Sequence, residues 1–482
     1  MNRSIKTMII SLLLILSSPM AKLSAQVSVW DGTWQPWTHG TGTASDPFLI
    51  ENAQQLAYLA YRVNNGLDAN GGHVSNHDYH YKLMVDVDLN GSESLQWTPI
   101  GYWNSDTDYQ CFGGYFEGNN HTISGLYINS SANRVGFCGY TNGATIQHVS
   151  VTGNAIATTG QYAGGIIGVA DGTSVITNCY NTGTVSSSSS SYPYYGGIVG
   201  YAAGNANVTN CYNTGTISSS SGYAAGIVGY AAGNANIINC YNTGTVSSSI
   251  GYASHSGGIV GCAATANITN CYNTGTVSSY GYSGGIVGRN NNGTVINSYY
   301  LNTCGGNNTY GGQPMSADAM KSEEFVSILN NGSNTWIKDA YNVNYGYPIF
   351  SGVLYTNVIT TGASSITQTH AILNGTAYST TNHILCGFEY KKASDSHYQT
   401  VNVSGSGNIS TTISGLQPNT EYLYRVFCTL NNSSTYYGEE QTFTTKNITI
   451  RTHEATNLTE TSATLNGYID AGDATVSGKG FR

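Results

Sequence analysis

The sequence predicts an all-β protein built on a parallel β-helix solenoid with short helical caps. Two observations carry that prediction. A unit of about 30 residues recurs through the middle of the chain, and a period of that size marks a solenoid, a propeller or an array. The composition suits short strands and tight turns: of 482 residues, 60 are Gly and 38 Tyr, and only 9% are charged, well below ordinary soluble domains.

The repeat is explicit. Asn-Cys-Tyr-Asn-Thr-Gly-Thr begins at Asn178, Asn210, Asn239 and Asn270, with a degenerate copy at Asn297-Ser298-Tyr299. Before each copy stands an apolar stretch bounded by Gly, as in Gly197-Ile-Val-Gly200. Three apolar positions recur per unit: Ile166, Ile198, Ile227, Ile259 and Ile286; Ile176, Val208, Ile237, Ile268 and Val295; then Val185, Ile217, Val246 and Val277. A unit this small cannot bury a core alone, so these positions are expected to stack as inward ladders, three short strands per turn, each coil ~4.8 Å above the last. A four-stranded propeller blade needs ~40 to 50 residues, more than the period allows.

Cys179, Cys211, Cys240 and Cys271 occupy one point of successive units and form a ladder of their own. Stacked side chains point in parallel, which disfavours bridging, so they are expected as buried thiols acting as small hydrophobes. Length variation falls in one loop per unit, and those loops carry Tyr192, Tyr194, Tyr195, Tyr223, Tyr252, Tyr280 and Tyr282. Insertions in a solenoid collect on one face, often the binding face. The rings either pack on one another along the stack or present flat amphipathic surfaces to a sugar or a protein; the first is the default.

The ends also make sense. Asn52 and Gln55 form a capping box before a helix with Leu56, Leu59, Ala60 and Val63 on one face, closed by Gly66. Ser322 caps a second short helix carrying Phe325, Ile328 and Leu329, closed by Gly332. At the N-terminus, Arg3 and Lys6, the apolar run Met8 to Leu16, and Leu23-Ser24-Ala25 predict a secretory signal cleaved after Ala25. The apolar run is too short to span a bilayer of roughly 30 Å as a helix. The first cysteine, Cys111, lies far beyond that site, so no lipid acceptor is expected there.

The segments Phe112 to Ile128 and Val135-Gly-Phe-Cys-Gly-Tyr140, with the Gly-Gly-Ile-Val-Gly strands, resemble the GLUG-motif repeat proteins of bacterial surfaces. Further on, Leu416-Gln-Pro418-Asn-Thr420-Glu-Tyr422, leading into Tyr424, Val426 and Cys428, resembles the E-to-F corner of a fibronectin type III module. The tryptophan common in early strands of that family is missing. Thr461 to Gly467 matches Thr369 to Gly375, which implies a second, incomplete module. The expected domains are a signal peptide at 1–25, an N-terminal cap and first coils at 26–150, the repeat at 151–302, a C-terminal cap at 303–354, a fibronectin type III-like sandwich at 355–446 and a partial one at 447–482. The resemblance places Cys386 and Cys428 on neighbouring strands, where a disulfide is an option.

Catalytic chemistry has little to work with. Between residues 151 and 300 the charged residues are Asp171 and Arg289 and the histidine is His255, so no acid-base pair of the kind glycan cleavage needs is available. Asp86-Val-Asp88-Leu-Asn90-Gly91 opens like a calcium loop, but Trp97 stands where the closing Glu belongs, and a strand and turn are expected instead. His73, His77, Asp78 and His80 are expected in a solvated loop rather than on a metal. His453-Glu454 lacks the second histidine of a zinc-protease helix, Asn457 taking its place. No catalytic residue, metal or cofactor is expected. A net charge of -9 with no run of Lys or Arg argues against nucleic acid. The expectation is an exported, adhesin-like, non-enzymatic protein at the cell surface that binds a glycan or an extracellular protein, without membrane insertion. The alternatives are the non-catalytic front of a larger exported enzyme and a structural stalk.

Overall fold

A computed structural model of the chain describes residues 27–67, 76–77, 79–188, 193–249, 254–306, 310–340, 342–352, 356–379, 383–430, 435–473 and 475–481. The chain divides into two compact units, one over residues 27–353 and one formed by the residues that follow.

The first unit is a parallel β-solenoid. Each repeat coil contributes five short strands, not the three expected. In one coil they are Tyr162–Gly164, Ile167–Asp171, Val175–Thr177, Tyr180–Asn181 and Thr184–Ser187. Each pairs in parallel register with its equivalent in the next coil, giving five sheets that run along the solenoid. The apolar positions are inside as expected, but more corners divide the turn than the apolar pattern reveals. One is the Gly-Gly step after Ala163, where Ile166 is buried at the bend rather than within a strand. Another is the first Asn of each motif: Asn178, Asn210, Asn239 and Asn270 all adopt φ between 52 and 55°, a left-handed conformation that Asn tolerates better than most residues.

The second Asn of the motif points inward. Asn181, Asn213, Asn242 and Asn273 are fully buried, and each amide is satisfied twice over. Asn213 Oδ1 accepts from Gly215 N at 3.3 Å, its Nδ2 donates to Gly215 O at 3.0 Å, and Nδ2 also donates to Asn242 Oδ1 at 2.8 Å in the next coil. Buried amides are tolerated because these bonds replace the water they lost. Their presence explains the Gly-Gly pairs: a Cβ at Gly197 would lie 2.2 Å from Gly226 O and 2.5 Å from the Asn213 side chain. Two distant parts of the repeat are thereby coupled through one close approach.

Cys179, Cys211, Cys240 and Cys271 are buried free thiols in the same core, as expected. At the N-terminal end, helix Ala53–Asn64 adds Leu56, Leu59 and Val63 to that core. Asn52 Oδ1 accepts from Gln55 N at 2.9 Å. The return bond runs to the N–H of Glu51 at 2.7 Å, one residue before the usual capping-box partner. The stretch after the repeat does more than close an end. Strand Gln313–Met315 covers the edge of Tyr299–Leu301. Helix Glu323–Asn330, capped by Ser322, and Trp336, Tyr347 and Phe350 then lie along the flank of the solenoid, against the tyrosines of the repeated motif.

In the second unit, strands Thr356–Ser364, His370–Ser379 and Gly407–Ser414 form one antiparallel sheet. A five-stranded antiparallel sheet centred on Glu421–Leu430 faces it across a shared core that includes Leu373, Phe388, Tyr424 and Val426. Tyr422 Oη accepts from Gln417 N at 2.9 Å, and the Tyr424 hydroxyl donates to Thr361 O. Cys386 and Cys428 are opposite one another in register, yet both are free thiols, which corrects the disulfide option. Cys386 Sγ turns instead to Val403 O at 3.3 Å and Gly405 O at 3.1 Å. Beyond this sandwich, Thr449–Thr456 and Thr464–Asp470 form an antiparallel hairpin, so His453 is on a strand rather than a helix.

Candidate binding surface

Two neighbouring sheets of the solenoid carry outward side chains that meet. On the first, Arg134, Tyr162, Tyr194, Tyr223, His255 and Tyr282 occupy one register position in successive coils. On the second, Tyr140, Val169, Tyr201, Tyr230, Cys262 and Arg289 do the same. Rings from one row pack on rings from the other, with Tyr194 to Tyr230 at 4.6 Å, Tyr162 to Tyr201 at 5.6 Å and Tyr223 to Tyr230 at 5.8 Å between centroids. Outer side chains of adjacent sheets can touch only where the corner between them is concave. The result is a packed aromatic channel along the solenoid, in which Tyr140, Tyr223 and His255 are buried, Tyr162, Tyr194, Tyr201 and Tyr230 are half-buried, and Tyr282 and Arg289 are exposed at the C-terminal end.

Each tyrosine named from the sequence has a definite place. Tyr194, Tyr223 and Tyr282 are in the channel row, and Tyr282 is 52% exposed. Tyr280 projects beside it at 58% exposure. Tyr195 is a correction: strand alternation turns it inward, where it is fully buried and donates its hydroxyl to Gly160 O. Tyr192 and Tyr252 lie outside the described residues. The second row is carried by the residue after each Gly-Ile-Val-Gly stretch, Tyr201, Tyr230, Cys262 and Arg289, a position whose changing residue type gives no repeat signal in the sequence.

The electrostatics of the channel are distinctive. Both charged residues of the repeat are on it, Asp171 at one end and Arg289 at the other. Arg289 Nη1 donates to Tyr223 Oη at 3.2 Å. Arg134 sits over Trp103, Tyr140 and Tyr162 with its guanidinium carbon 5.0, 5.7 and 5.3 Å from the ring centres, and donates from Nη1 to Trp103 O at 2.9 Å. Tyr140 Oη donates to Asp171 at 3.4 Å. Burial, followed by the neighbouring phenols, pushes the Tyr194 hydroxyl up to about 12, so the ring stays neutral and a hydrogen-bond donor at any physiological pH.

The other motifs resolve as ordinary structure. Asp86 accepts from His121 Nδ1 at 3.1 Å and Thr122 N at 2.9 Å; burial opposes its charge, but these bonds hold the carboxyl below its usual range. Asp88 Oδ1 accepts from Asn90 N at 2.8 Å in a turn, and Trp97 is buried. His80 stacks on Tyr115 at 4.9 Å, while His73 and Asp78 lie outside the described residues. Among the described residues no cluster of three or more His, Cys, Asp or Glu side chains is placed to hold a metal ion, and no helix is long and apolar enough to cross a membrane.

Comparison with known proteins bears on the repeat. The family model for the GLUG motif matches residues 159–186, 191–218, 220–247 and 252–278. The chain is 30% identical over 158 residues to halomucin of Haloquadratum walsbyi, covering 31% of this chain and 2% of halomucin. It is also 30% identical over 147 residues to a provisionally described Gly-rich membrane protein of Evansella cellulosilytica, covering 28% of this chain and 15% of that protein. Among solved structures, one from Bacteroides ovatus, provisionally described as an immunoglobulin A1 protease, is 23% identical with a TM-score of 0.49, covering 65% of this chain and 95% of that one. The chain thus carries GLUG motif repeats, and those repeats form the β-solenoid.

Proposed function

We propose that this is an exported, non-enzymatic, adhesin-like protein of the cell surface, which engages a glycan or an extracellular protein through the aromatic channel of its repeat. One observation carries the reading. In a repeat almost devoid of charge, Asp171 and Arg289 both fall on the channel, and Arg134 joins them at its N-terminal end. Charges placed by fold requirements alone would have no reason to share one groove with the rings. Neutral phenols, the half-buried Arg134, the exposed Arg289 and a concave wall together make a surface that grips by stacking and orients by a few polar contacts.

The remaining domains fit a display role. The sandwich after the solenoid reads as a fibronectin type III-like spacer, supported by its strand pairing and by the Tyr422 hydroxyl tied to Gln417 upstream. The N-terminal segment with Arg3, Lys6 and the Met8 to Leu16 run supports export.

The test is binding by the full chain to a glycan array and to immobilised extracellular matrix proteins. Tyr194→Ser combined with Tyr230→Ser is expected to abolish whatever binding the wild type shows, with the fold intact by circular dichroism. Binding unchanged in that variant would move the site off the channel. Polysaccharide hydrolysis or lyase activity in the purified chain would overturn the non-enzymatic reading.

A further inference from the structure

The N-terminal cap holds a second cleft, remote in sequence from the repeat. Its volume is about 400 Å³, within the range of small-ligand sites, and it lies between helix Ala53–Asn64 and the loop before Thr98. One wall is an aromatic platform. Trp34 stacks on Tyr61 at 4.2 Å with an interplanar angle of 18° and on Tyr58 at 5.3 Å, yet keeps 47% of its surface exposed. The floor is Trp97, only 3% exposed, fixed by a 2.9 Å bond from its Nε1 to Phe137 O and by an edge contact with Trp30 at 5.8 Å.

The polar lining decides the ligand. Amides of Asn64, Asn65 and Gln96 and hydroxyls of Thr33, Ser94 and Thr98 line the cleft, with Asn65 Nδ2 held by Tyr61 O at 2.8 Å and Thr33 Oγ1 by Asp31 Oδ1 at 2.7 Å, and no charged side chain lines it. Asn64 is immobilised by bonds to Pro99 O at 3.0 Å and from Gly101 N at 2.8 Å, and Gln96 Oε1 accepts from Asn129 N at 2.8 Å. The walls are therefore preorganised before any ligand arrives, which lowers the entropic cost of binding. A flat ring with one exposed face, beside fixed donors and acceptors and no net charge, matches a molecule with an apolar ring face and a rim of neutral hydroxyls. A second cleft of about 460 Å³ shares Asn64, Gln96, Trp97 and Thr98 and continues the first toward Tyr102 and Arg134. The path has room for more than one ring.

From this geometry we infer that the N-terminal cap is a separate binding site for a neutral oligosaccharide, with a pyranose ring stacked on Trp34. The cleft beside Trp34 shares no residue with the aromatic channel, which the neighbouring cleft meets at Arg134.

Titrating the full chain with maltohexaose, cellohexaose, xylohexaose and mannohexaose, followed by tryptophan fluorescence and calorimetry, tests it. At least one neutral hexaose is expected to bind saturably, and Trp34→Ala to weaken it roughly tenfold or more, the usual cost of removing a stacking ring. Asn65→Ala is expected to weaken it less, and Tyr194→Ser with Tyr230→Ser not at all, which separates this site from the channel. No saturable binding of any neutral hexaose would overturn the assignment. So would equal binding by Trp34→Ala, or tighter binding of oligogalacturonate or of a proline-rich decapeptide.

Discussion

Two rows of tyrosines run along the same solenoid, and they have opposite fates. Tyr180, Tyr212, Tyr241 and Tyr272, from the Asn-Cys-Tyr-Asn motif, stack 4.7, 4.8 and 5.1 Å apart with interplanar angles of 12, 4 and 2°. From Tyr212 onward that row packs against the segment that follows the repeat. Tyr272 donates to Pro348 O at 2.5 Å and accepts from Asn344 Nδ2 at 2.7 Å. The channel row is less regular: Tyr194 to Tyr223 is 5.4 Å at 51°, and His255 interrupts the tyrosines. The most regular row is thus the one used for internal packing, because a flank that must be covered along several coils needs the same shape on each. The row whose residues vary is the channel row, in which Tyr223 and His255 are buried by their neighbours and Tyr282 at the end is 52% exposed.

Removing a ring from the covering segment should therefore cost the most. Trp336 is 1% exposed and packs on Tyr241, Tyr272 and Phe350 at 6.0, 5.4 and 4.5 Å. Trp336→Ala is expected to destabilise by about 3 to 5 kcal/mol in urea unfolding. A loss under about 1 kcal/mol would mean that the flank contributes little to the solenoid's stability. Next comes the inner amide ladder. Asn242→Ala strips a partner from Asn213 Nδ2 and from both backbone groups of Gly244, and should cost about 1 to 3 kcal/mol.

Those two sites also show what the sequence makes legible. The apolar positions, the thiol ladder and both helix caps follow from periodicity and capping chemistry, which act locally. The inward turn of Asn213 does not, since an Asn in a turn motif reads as a surface residue until the glycine it touches in another strand is known. The same holds for Tyr272: a tyrosine repeated every coil gives no sign of whether solvent or Trp336 lies over it. Tyr195 reads as a surface ring because a Tyr-Tyr pair in a variable loop hides which ring begins the strand alternation. The channel's second row becomes a site only because two sheets meet at a concave corner.

A smaller effect should depend on pH. His148 Nδ1 is 3.0 Å from Glu117 Oε1, and that hydrogen bond, against opposing burial, holds His148 above its ordinary 6.5. Burial pushes Glu117 up, but bonds from His148, Gln147 and the Asn119 N–H more than reverse it and leave it below 4.5. The histidine's contribution is fully present below 6.5 and fades as pH rises through its raised folded value. The glutamate's is present above 4.5 and fades as pH falls through its lowered one. The stability gap between wild type and His148→Gln is thus expected to peak between 4.5 and 6.5 and to narrow on either side, as thermal melts across that range would show. At the low end, Tyr282→Ser at the exposed end of the channel row should change stability by less than about 0.5 kcal/mol, as expected for an exposed side chain. A loss comparable to that of Trp336→Ala would erase the distinction between the rows.

The inner asparagines have one more consequence. Each donates toward the next coil: Asn181 to Asn213, Asn213 to Asn242, Asn242 to Asn273. The left-handed asparagines on the outside donate the other way, Asn210 to Asn178, Asn239 to Asn210 and Asn297 to Asn270. The inner and outer asparagines therefore form hydrogen-bonded ladders of opposite polarity, and a further row, Asn236 to Asn207 and Asn267 to Asn236, runs with the outer one. Each repeat thus brings its own hydrogen bonds to the neighbouring coil, so an added or removed coil would extend or shorten every ladder by one rung without leaving a new unmatched amide in the interior.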